Sequence, residues 1–117
     1  MSSNRKVIES YFASKGTEYG RLLADDVELV EWVDGVPATG VRTQGKAAFI
    51  ENRGQREYPV QITRMTEENN VVVVEGTARG PKKEGGSWTV QFCDIFELEN
   101  GQVKRLSSFG AEVKDSA

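Results

Sequence analysis

SWTVQFCDIFELENGQVKRLSSF, running from Ser87 to Phe109, contains two strand-like runs and the clearest turn signal in the chain. The turn signal is Asn100-Gly101, the pair best suited to a two-residue hairpin loop, because both central positions of that loop need a positive φ. Side chains of a strand alternate between the two faces of a sheet. One face of the first run therefore carries Trp88, Val90, Phe92, Asp94, Phe96 and Leu98. We predict a β-hairpin with an aromatic face that has one carboxylate, Asp94, in its middle.

A two-residue loop also predicts which residues of the hairpin face each other. On the aromatic face it places Leu98 opposite Val103, Phe96 opposite Arg105, Asp94 opposite Ser107 and Phe92 opposite Phe109. On the other face it pairs Glu97 with Lys104 and Ile95 with Leu106, which are favourable cross-strand pairs.

Asp94 has two interpretations. Burial among aromatic rings disfavours the charged form, so we expect the pKa of Asp94 to be raised unless a cation or several donors stabilise the anion. In the first interpretation, a neutral Asp94 is an acid or an oxyanion-stabilising group that lines a pocket. In the second, Asp94 is a structural carboxylate that pairs with Arg105 or accepts a hydrogen bond from Ser107, since structural ion pairs also perturb pKa values.

Length and composition favour one small domain, residues 1–117, with a modest core of its own. No apolar run approaches the ~20 residues of a membrane-spanning helix. The first ten residues, MSSNRKVIES, lack the apolar segment of a signal peptide. We therefore expect a cytoplasmic protein that does not bind a membrane.

The absence of histidine excludes Ser-His-Asp and Cys-His catalysis and zinc sites that contain histidine. Fifteen Lys and Arg against eighteen Asp and Glu give a net charge of −3, and the one basic cluster is Lys82-Lys83, so we expect no nucleic-acid partner. Neither GxGxxG nor GxxxxGK is present, and we expect no cofactor and no metal. Cys93 is the single cysteine and lies on the face opposite Asp94, where it is most simply a small packed residue.

The remaining sequence predicts the order α-α-β-α-β-β-β-β. The predicted helices are residues 4–15, 17–24 and 45–52, with Thr17 as a possible N-cap of the second. The predicted strands are residues 27–33, 58–66 and 71–79, followed by the hairpin, with loops at 34–44 and 80–86. This order describes an α+β domain in which a curved antiparallel sheet folds over the N-terminal helices and leaves a pocket between them.

Tyr11 and Glu31 are further candidates for that pocket. Tyr11 is the one member of the apolar stripe of the first helix with a polar tip; it either packs with its hydroxyl in water or directs its phenol into the cavity of Asp94. Glu31 lies among apolar residues on one strand face, and an edge strand with a wet face would explain it without any chemistry. Arg42 and Arg53 bracket the third helix. They are either solvated surface cations or, at the mouth of a pocket, cations that would attract an anionic ligand.

Short motifs in the same order and spacing resemble the nuclear transport factor two superfamily, the cystatin-like α+β cone fold of ketosteroid isomerases and SnoaL-like polyketide cyclases. They are Tyr11-Phe12-Ala13, Ala24-Asp25-Asp26-Val27, Gly45-Lys46-Ala47-Ala48-Phe49, Asp94-Ile95-Phe96, Asn100-Gly101, Val103 and Ser108-Phe109-Gly110. The resemblance covers nearly the whole chain. It implies a cone-shaped sheet and, as in many relatives, a homodimer.

The resemblance also implies roles for the candidate residues. In the isomerase branch a carboxylate near the end of the first strand is the general base, and a tyrosine and a protonated Asp form the oxyanion hole, an arrangement known from ketosteroid isomerase itself. By position, Glu31 matches the base, Tyr11 the tyrosine and Asp94 the protonated acid. The chain differs in having Glu at the base position and a shorter interval between Tyr11 and Asp25. It also lacks the histidine of many cyclases.

The leading hypothesis is a cofactor-independent isomerase or cyclase that acts on an apolar carbonyl compound such as a steroid or a polyketide. Its catalytic residues would be Asp94, Glu31 and Tyr11. Five aromatic residues are candidates for the apolar walls: Trp32, Trp88, Phe92, Phe96 and Phe109. The first alternative is a non-catalytic domain of the same fold that binds a small molecule or dimerises. The second is an epoxide hydrolase that uses an Asp-Arg-Asp arrangement, for which Arg105 near Asp94 would supply the arginine.

Overall fold

A curved, open sheet of six strands with helices packed against its inner face forms the protein. The computed structural model describes residues 3–33, 35–55 and 60–114. The helices are α1 (Asn4–Ala13), a 3₁₀ helix (Glu18–Leu22) and α2 (Lys46–Arg53). The strands are β1 (Leu23–Trp32), β2 (Val41–Gln44), β3 (Val60–Glu68), β4 (Val71–Pro81), β5 (Ser87–Glu99) and β6 (Gln102–Glu112). The predicted α+β cone fold is confirmed.

The strands follow the order β2-β1-β6-β5-β4-β3 across the sheet. Strands β3 to β6 form the predicted antiparallel meander. Strand β1 lies beside β6 and runs parallel to it, and β2 pairs antiparallel with the other side of β1. The predicted loop at residues 34–44 therefore misses strand β2.

The predicted boundaries need correction at the helices. The second helix is a short 3₁₀ helix that ends at Leu22, and Thr17 makes no side-chain cap bond there. Strand β1 begins at Leu23, which is fully buried and pairs with Val103, so a core position overrides the helical prediction for residues 23 and 24. The predicted start of a strand at Tyr58 and Pro59 lies outside the described residues. Within those residues, no helix combines the length and apolar character needed to cross a membrane.

The hairpin of β5 and β6 contains a bulge that the sequence did not reveal. Its loop is Asn100-Gly101 with φ values of 54° and 76°, and Leu98 faces Val103, both as predicted. Beyond that pair the register shifts, so Glu97 faces Arg105 and Lys104 is the extra residue. The Lys104 Nζ donates to Asp26 Oδ2 over 3.1 Å, and this contact lowers the pKa of Asp26.

One extra residue in a strand turns every later side chain to the other face. Asp94 therefore faces Ser108, and Phe92 faces Gly110. The predicted pairs of Asp94 with Ser107 and of Phe92 with Phe109 are wrong for this reason.

Two glycines of β4 make room for the aromatic face of β5. Gly76 faces Phe92 and Gly80 faces Trp88 in the sheet. A Cβ at Gly76 would lie 2.8 Å from the Phe92 ring, and one at Gly80 would collide with the Trp88 indole. The two rings therefore lie against the bare backbone of β4, in the space that a larger side chain would fill.

Candidate functional site

A cavity of about 340 Å³ lies on the inner side of the sheet, where α1, the end of α2 and five strands meet. Its polar lining includes Tyr11, Tyr19, Glu31, Arg53, Asp94 and Ser108. Its apolar lining includes Phe12, Val33, Trp88, Val90 and Phe92. The cavity therefore brings together the three predicted catalytic residues, Asp94, Glu31 and Tyr11.

Among the described residues, Asp94 is the one buried residue with a carboxyl group, and 6% of its surface is exposed. The Ser108 hydroxyl donates to its Oδ1 atom over 2.6 Å. The predicted alternative partners are wrong: Ser107 faces Ile95, and Arg105 lies 3.6 Å from Glu28 and 3.8 Å from Glu97. Asp94 thus occupies the middle of the aromatic face, as predicted, and the bulge in β6 selects Ser108 as its partner.

Glu31 lies on the inner face of β1, near the end of the strand. Its Oε1 atom accepts a hydrogen bond of 3.0 Å from the Asn52 side chain of α2. Strand β1 lies between β2 and β6, so the explanation of Glu31 by an edge strand is wrong. The contact with Asn52 ties the carboxylate to the end of α2, which also carries Arg53.

Tyr11 lies in the core beside the cavity, with 1% of its surface exposed. Its ring makes edge-on contacts with Phe12, Tyr19 and Phe96 at centroid distances of 5.1, 5.4 and 5.1 Å. The interpretation that its hydroxyl reaches bulk water is wrong, since the whole residue is buried. Aromatic packing on three sides fixes the position of the phenol ring in the cavity wall.

The five aromatic residues predicted for the pocket separate into three groups. Trp88 and Phe92 line the cavity. Phe96 is fully buried in the core against Tyr11 and is not among the described residues that line the cavity. Trp32 and Phe109 lie on the outer face of the sheet and stack with a centroid distance of 6.1 Å, so their placement in the cavity wall is wrong. The bulge in β6 turns the Phe109 side chain to the outer face of the sheet. Side chains alternate along β1, so Trp32 lies on the other face of the sheet from Glu31.

Arg53 and Tyr19 also line the cavity. The sequence left a pocket position open for Arg53, whereas it gave no indication that Tyr19 belongs to the site. The Tyr19 hydroxyl donates to the Gly54 carbonyl over 2.6 Å, and the Gly54 amide donates to Ile50 over 2.7 Å to close α2. These bonds hold the C-terminal end of α2 against the cavity. A helix that ends in Arg53-Gly54 was visible in the sequence, but its direction toward Glu31 depends on tertiary contacts.

The described residues offer no cluster of metal ligands and no activated thiol. Among residues 3–33, 35–55 and 60–114, no three His, Cys, Asp or Glu side chains lie together as metal ligands would. Burial, followed by the charges of Glu75 and Asp94, raises the pKa of the Cys93 thiol. A raised pKa keeps the thiol protonated and poorly nucleophilic at neutral pH.

The cone-shaped sheet with a polar cavity on its inner side defines an α+β protein of the NTF2-like class. The family model of the SnoaL-like domain matches residues 5–106, and the chain belongs to that family. A comparison with curated proteins finds no match.

Solved structures support the same fold. A protein described as a SnoaL-like polyketide cyclase from Jannaschia sp. CCS1 is 18% identical, with a TM-score of 0.76 over 92% of this chain and 84% of that one. A protein described as a ketosteroid isomerase from Kribbella flavida DSM 17836 is 20% identical, with a TM-score of 0.71 over 97% and 82%. An NTF2-like protein of unknown function from Cytophaga hutchinsonii ATCC 33406 is 20% identical, with a TM-score of 0.67 over 91% and 94%. At these identities the similarity shows the fold.

Proposed function

We propose that the protein catalyses cofactor-independent proton transfer on an apolar carbonyl compound, as an isomerase or a cyclase. The observation that carries this proposal is one cavity lined by two carboxylates and a phenol: Glu31, Asp94 and Tyr11. The SnoaL-like family and the similarity to a described ketosteroid isomerase and a described polyketide cyclase support the same reaction class. A steroid or a polyketide is the kind of substrate that apolar walls such as Trp88 and Phe92 would accept.

The proposed reaction divides the work between the two carboxylates. Ionised Glu31 removes a proton from the carbon next to the carbonyl, and the electron pair moves to the carbonyl oxygen to form an enolate. Protonated Asp94 and the Tyr11 phenol donate hydrogen bonds to that oxygen. In an isomerase, Glu31 then returns the proton to a different carbon. In a cyclase, the enolate carbon bonds to the carbon of a second carbonyl, the π bond of that carbonyl breaks, and the resulting alkoxide takes the proton from Glu31. Neither route requires a cofactor.

The contacts of the two carboxylates fit these roles. The Ser108 hydroxyl donates to Asp94 Oδ1 and so orients the proposed acid in the cavity wall. The Asn52 amide donates to Glu31 Oε1, an interaction that orients the proposed base without supplying a second charge. Burial on an aromatic face also favours the neutral form of the Asp94 carboxyl, and a neutral acid is what an oxyanion hole needs as a hydrogen-bond donor.

Proton transfer can be tested before the natural substrate is known. We would incubate a panel of β,γ-unsaturated ketones with the protein in D₂O and follow exchange of the protons next to the carbonyl by NMR. Glu31→Gln should slow exchange by about 10²–10⁴-fold, the usual contribution of a general base. Tyr11→Phe should slow it by about 10²–10³-fold, the loss expected for one oxyanion donor.

The matched control is Glu28→Gln, which removes a carboxylate from the opposite face of the same strand. It should leave exchange unchanged if the folded protein is retained. Equal exchange by wild type and Glu31→Gln on every active ketone would refute the assigned roles.

A non-catalytic binding domain is the second candidate, and the Ser108 contact favours it. A hydroxyl 2.6 Å from a carboxylate oxygen has the short length of a charge-assisted bond, so it would also stabilise an ionised, structural Asp94. In that case Asp94→Asn changes stability and no ketone exchanges. The epoxide hydrolase alternative has less support, because Arg105 pairs with Glu28 and Glu97 on the outer face.

The proposed protein partner is a second copy of the chain, bound through the outer face of the sheet. Phe109 keeps 40% of its surface exposed there and stacks on Trp32 beside an open groove. Aromatic residues are enriched in the interfaces between proteins. The homodimer implied by the family resemblance would cover this pair.

A further inference from the structure

Arg53 is a cation of the cavity that the proposed proton transfer does not use. It is the last residue of α2 and lines the cavity with Glu31 and Asp94. Its Nε and Nη2 atoms are shielded from solvent and have no hydrogen-bond acceptor among the described residues. A buried donor without an acceptor destabilises the folded protein, and more so when it carries charge. Such a group therefore requires an explanation.

The other arginines with known contacts are neutralised by carboxylates. Arg5, Arg42, Arg64 and Arg105 each lie 2.6 to 3.8 Å from a Glu side chain. Arg105 also has a shielded Nε, but two carboxylates at 3.6 and 3.8 Å balance its charge. Within residues 3–33, 35–55 and 60–114, Arg53 has no such carboxylate.

The position of Arg53 is fixed by the backbone around it. The bonds from Tyr19 to Gly54 and from Gly54 to Ile50 hold the end of α2 in place. The helix dipole favours a positive residue at this end, which accounts for the charge but not for shielded donors that lack acceptors. Glu31 lines the same cavity, but its hydrogen bond comes from Asn52 and not from Arg53.

We propose that Arg53 binds a carboxylate of the molecule that enters the cavity, so that the substrate is an anionic compound with an apolar body. Rotation about the terminal torsions of the side chain would present the guanidinium fork to the cavity, and this planar fork matches a carboxylate with two parallel hydrogen bonds. A volume of about 340 Å³ is at the small end of ligand pockets, which favours a compact apolar body. This inference rests on the proposed function only in calling the bound molecule a substrate.

The test compares 2-naphthoate with 2-naphthamide, which share a ring system and differ in charge. The two tryptophans of the chain report where each probe binds, because Trp88 lines the cavity and Trp32 lies on the outer face. Titrations would follow the indole N–H signals by NMR, with Trp32→Phe to assign them. We expect both probes to shift the Trp88 signal and naphthoate to bind about tenfold more tightly.

Variants identify the group responsible. Arg53→Met should weaken naphthoate binding about tenfold and change naphthamide binding less than about twofold. Arg53→Lys keeps the charge but loses the guanidinium fork, so its affinity for naphthoate should lie between those of wild type and Arg53→Met. Arg42→Met removes the same charge from the exposed strand β2 and should change neither affinity.

Three outcomes would overturn the proposal: equal affinity of wild type for the two probes, equal weakening of both probes in Arg53→Met, or shifts of Trp32 without shifts of Trp88. The comparison of the probes on wild type remains decisive if Arg53→Met does not fold. None of these measurements requires turnover. Failure of the Glu31→Gln test would therefore remove the proposed reaction and leave the result for Arg53 intact.

Discussion

Replacement of Ser108 by alanine tests the bulge of β6 and the protonation state of Asp94 in one experiment. The Ser108 hydroxyl donates to Asp94 Oδ1 over 2.6 Å, and Asp94 is 6% exposed. A hydrogen bond between neutral groups contributes about 0.5–1.5 kcal/mol to stability, and one to a charged group about 1.5–3 kcal/mol. Since we propose a neutral Asp94, we predict that Ser108→Ala lowers the free energy of unfolding by about 1 kcal/mol.

Asp94→Asn supplies the second arm of the measurement. The carbonyl oxygen of Asn accepts a hydrogen bond from Ser108 as a neutral carboxyl would, whereas an ionised carboxylate accepts a stronger one. The cost of Ser108→Ala should therefore be the same, within about 0.5 kcal/mol, in the wild-type and Asp94→Asn backgrounds. Urea unfolding of the four proteins at neutral pH gives this difference directly.

Ser107→Ala is the matched control, because Ser107 directly precedes Ser108 in β6 and faces Ile95. Its removal should change stability by less than about 0.5 kcal/mol. A Ser107→Ala variant as unstable as Ser108→Ala would refute the bulged register. A cost of Ser108→Ala that is about 1 kcal/mol or more larger in wild type than in Asp94→Asn would refute a neutral Asp94 and favour the binding domain.

Three other properties follow from particular contacts. Gly76→Ala should lower the free energy of unfolding by about 1–3 kcal/mol, because the added Cβ would lie 2.5 Å from the Gln61 carbonyl oxygen and 2.8 Å from the Phe92 ring. An unchanged midpoint of urea unfolding would contradict this packing. Cys93 should react with iodoacetamide at about pH 8 more slowly in the native protein than in urea, since burial raises the pKa of its thiol; equal rates by mass spectrometry would contradict it. Phe109→Ser should convert the proposed dimer to a monomer in light scattering, whereas a dimer that keeps its mass in this variant would argue against the outer face as the interface.

The hairpin shows how far the sequence can predict this fold. The turn at Asn100-Gly101 and the pairing of Leu98 with Val103 follow from local turn chemistry, and both are confirmed. The alternation along β5 also holds, since it belongs to one strand and needs no partner. The extra residue Lys104 has no comparable signal, because a bulge of this kind accepts ordinary side chains. The errors at Ser107, Arg105 and Phe109 all come from that one residue.

Strand β2 and the surroundings of Glu31 depended on contacts that are distant in sequence. Residues Val41–Gln44 follow a loop with Gly and Pro signals, and a four-residue strand carries little periodicity of its own. Its existence depends on β1, which in turn lies beside β6 near the other end of the chain. An edge strand was therefore a reasonable interpretation of Glu31 from local pattern, and only the sheet order excludes it.

The hydrogen bonds of the cavity distinguish its cation from its acids. Asp94 accepts a bond from Ser108 and Glu31 accepts one from Asn52, so each carboxylate has a donor supplied by the protein. The guanidinium of Arg53 has two shielded donors and, among the described residues, no acceptor. A neutral ligand would leave that imbalance in place, whereas an acid would remove it by adding the missing acceptor. The charge of the occupant can therefore be tested before its identity is known, and with it the choice between a simple ketone and a keto acid as the substrate.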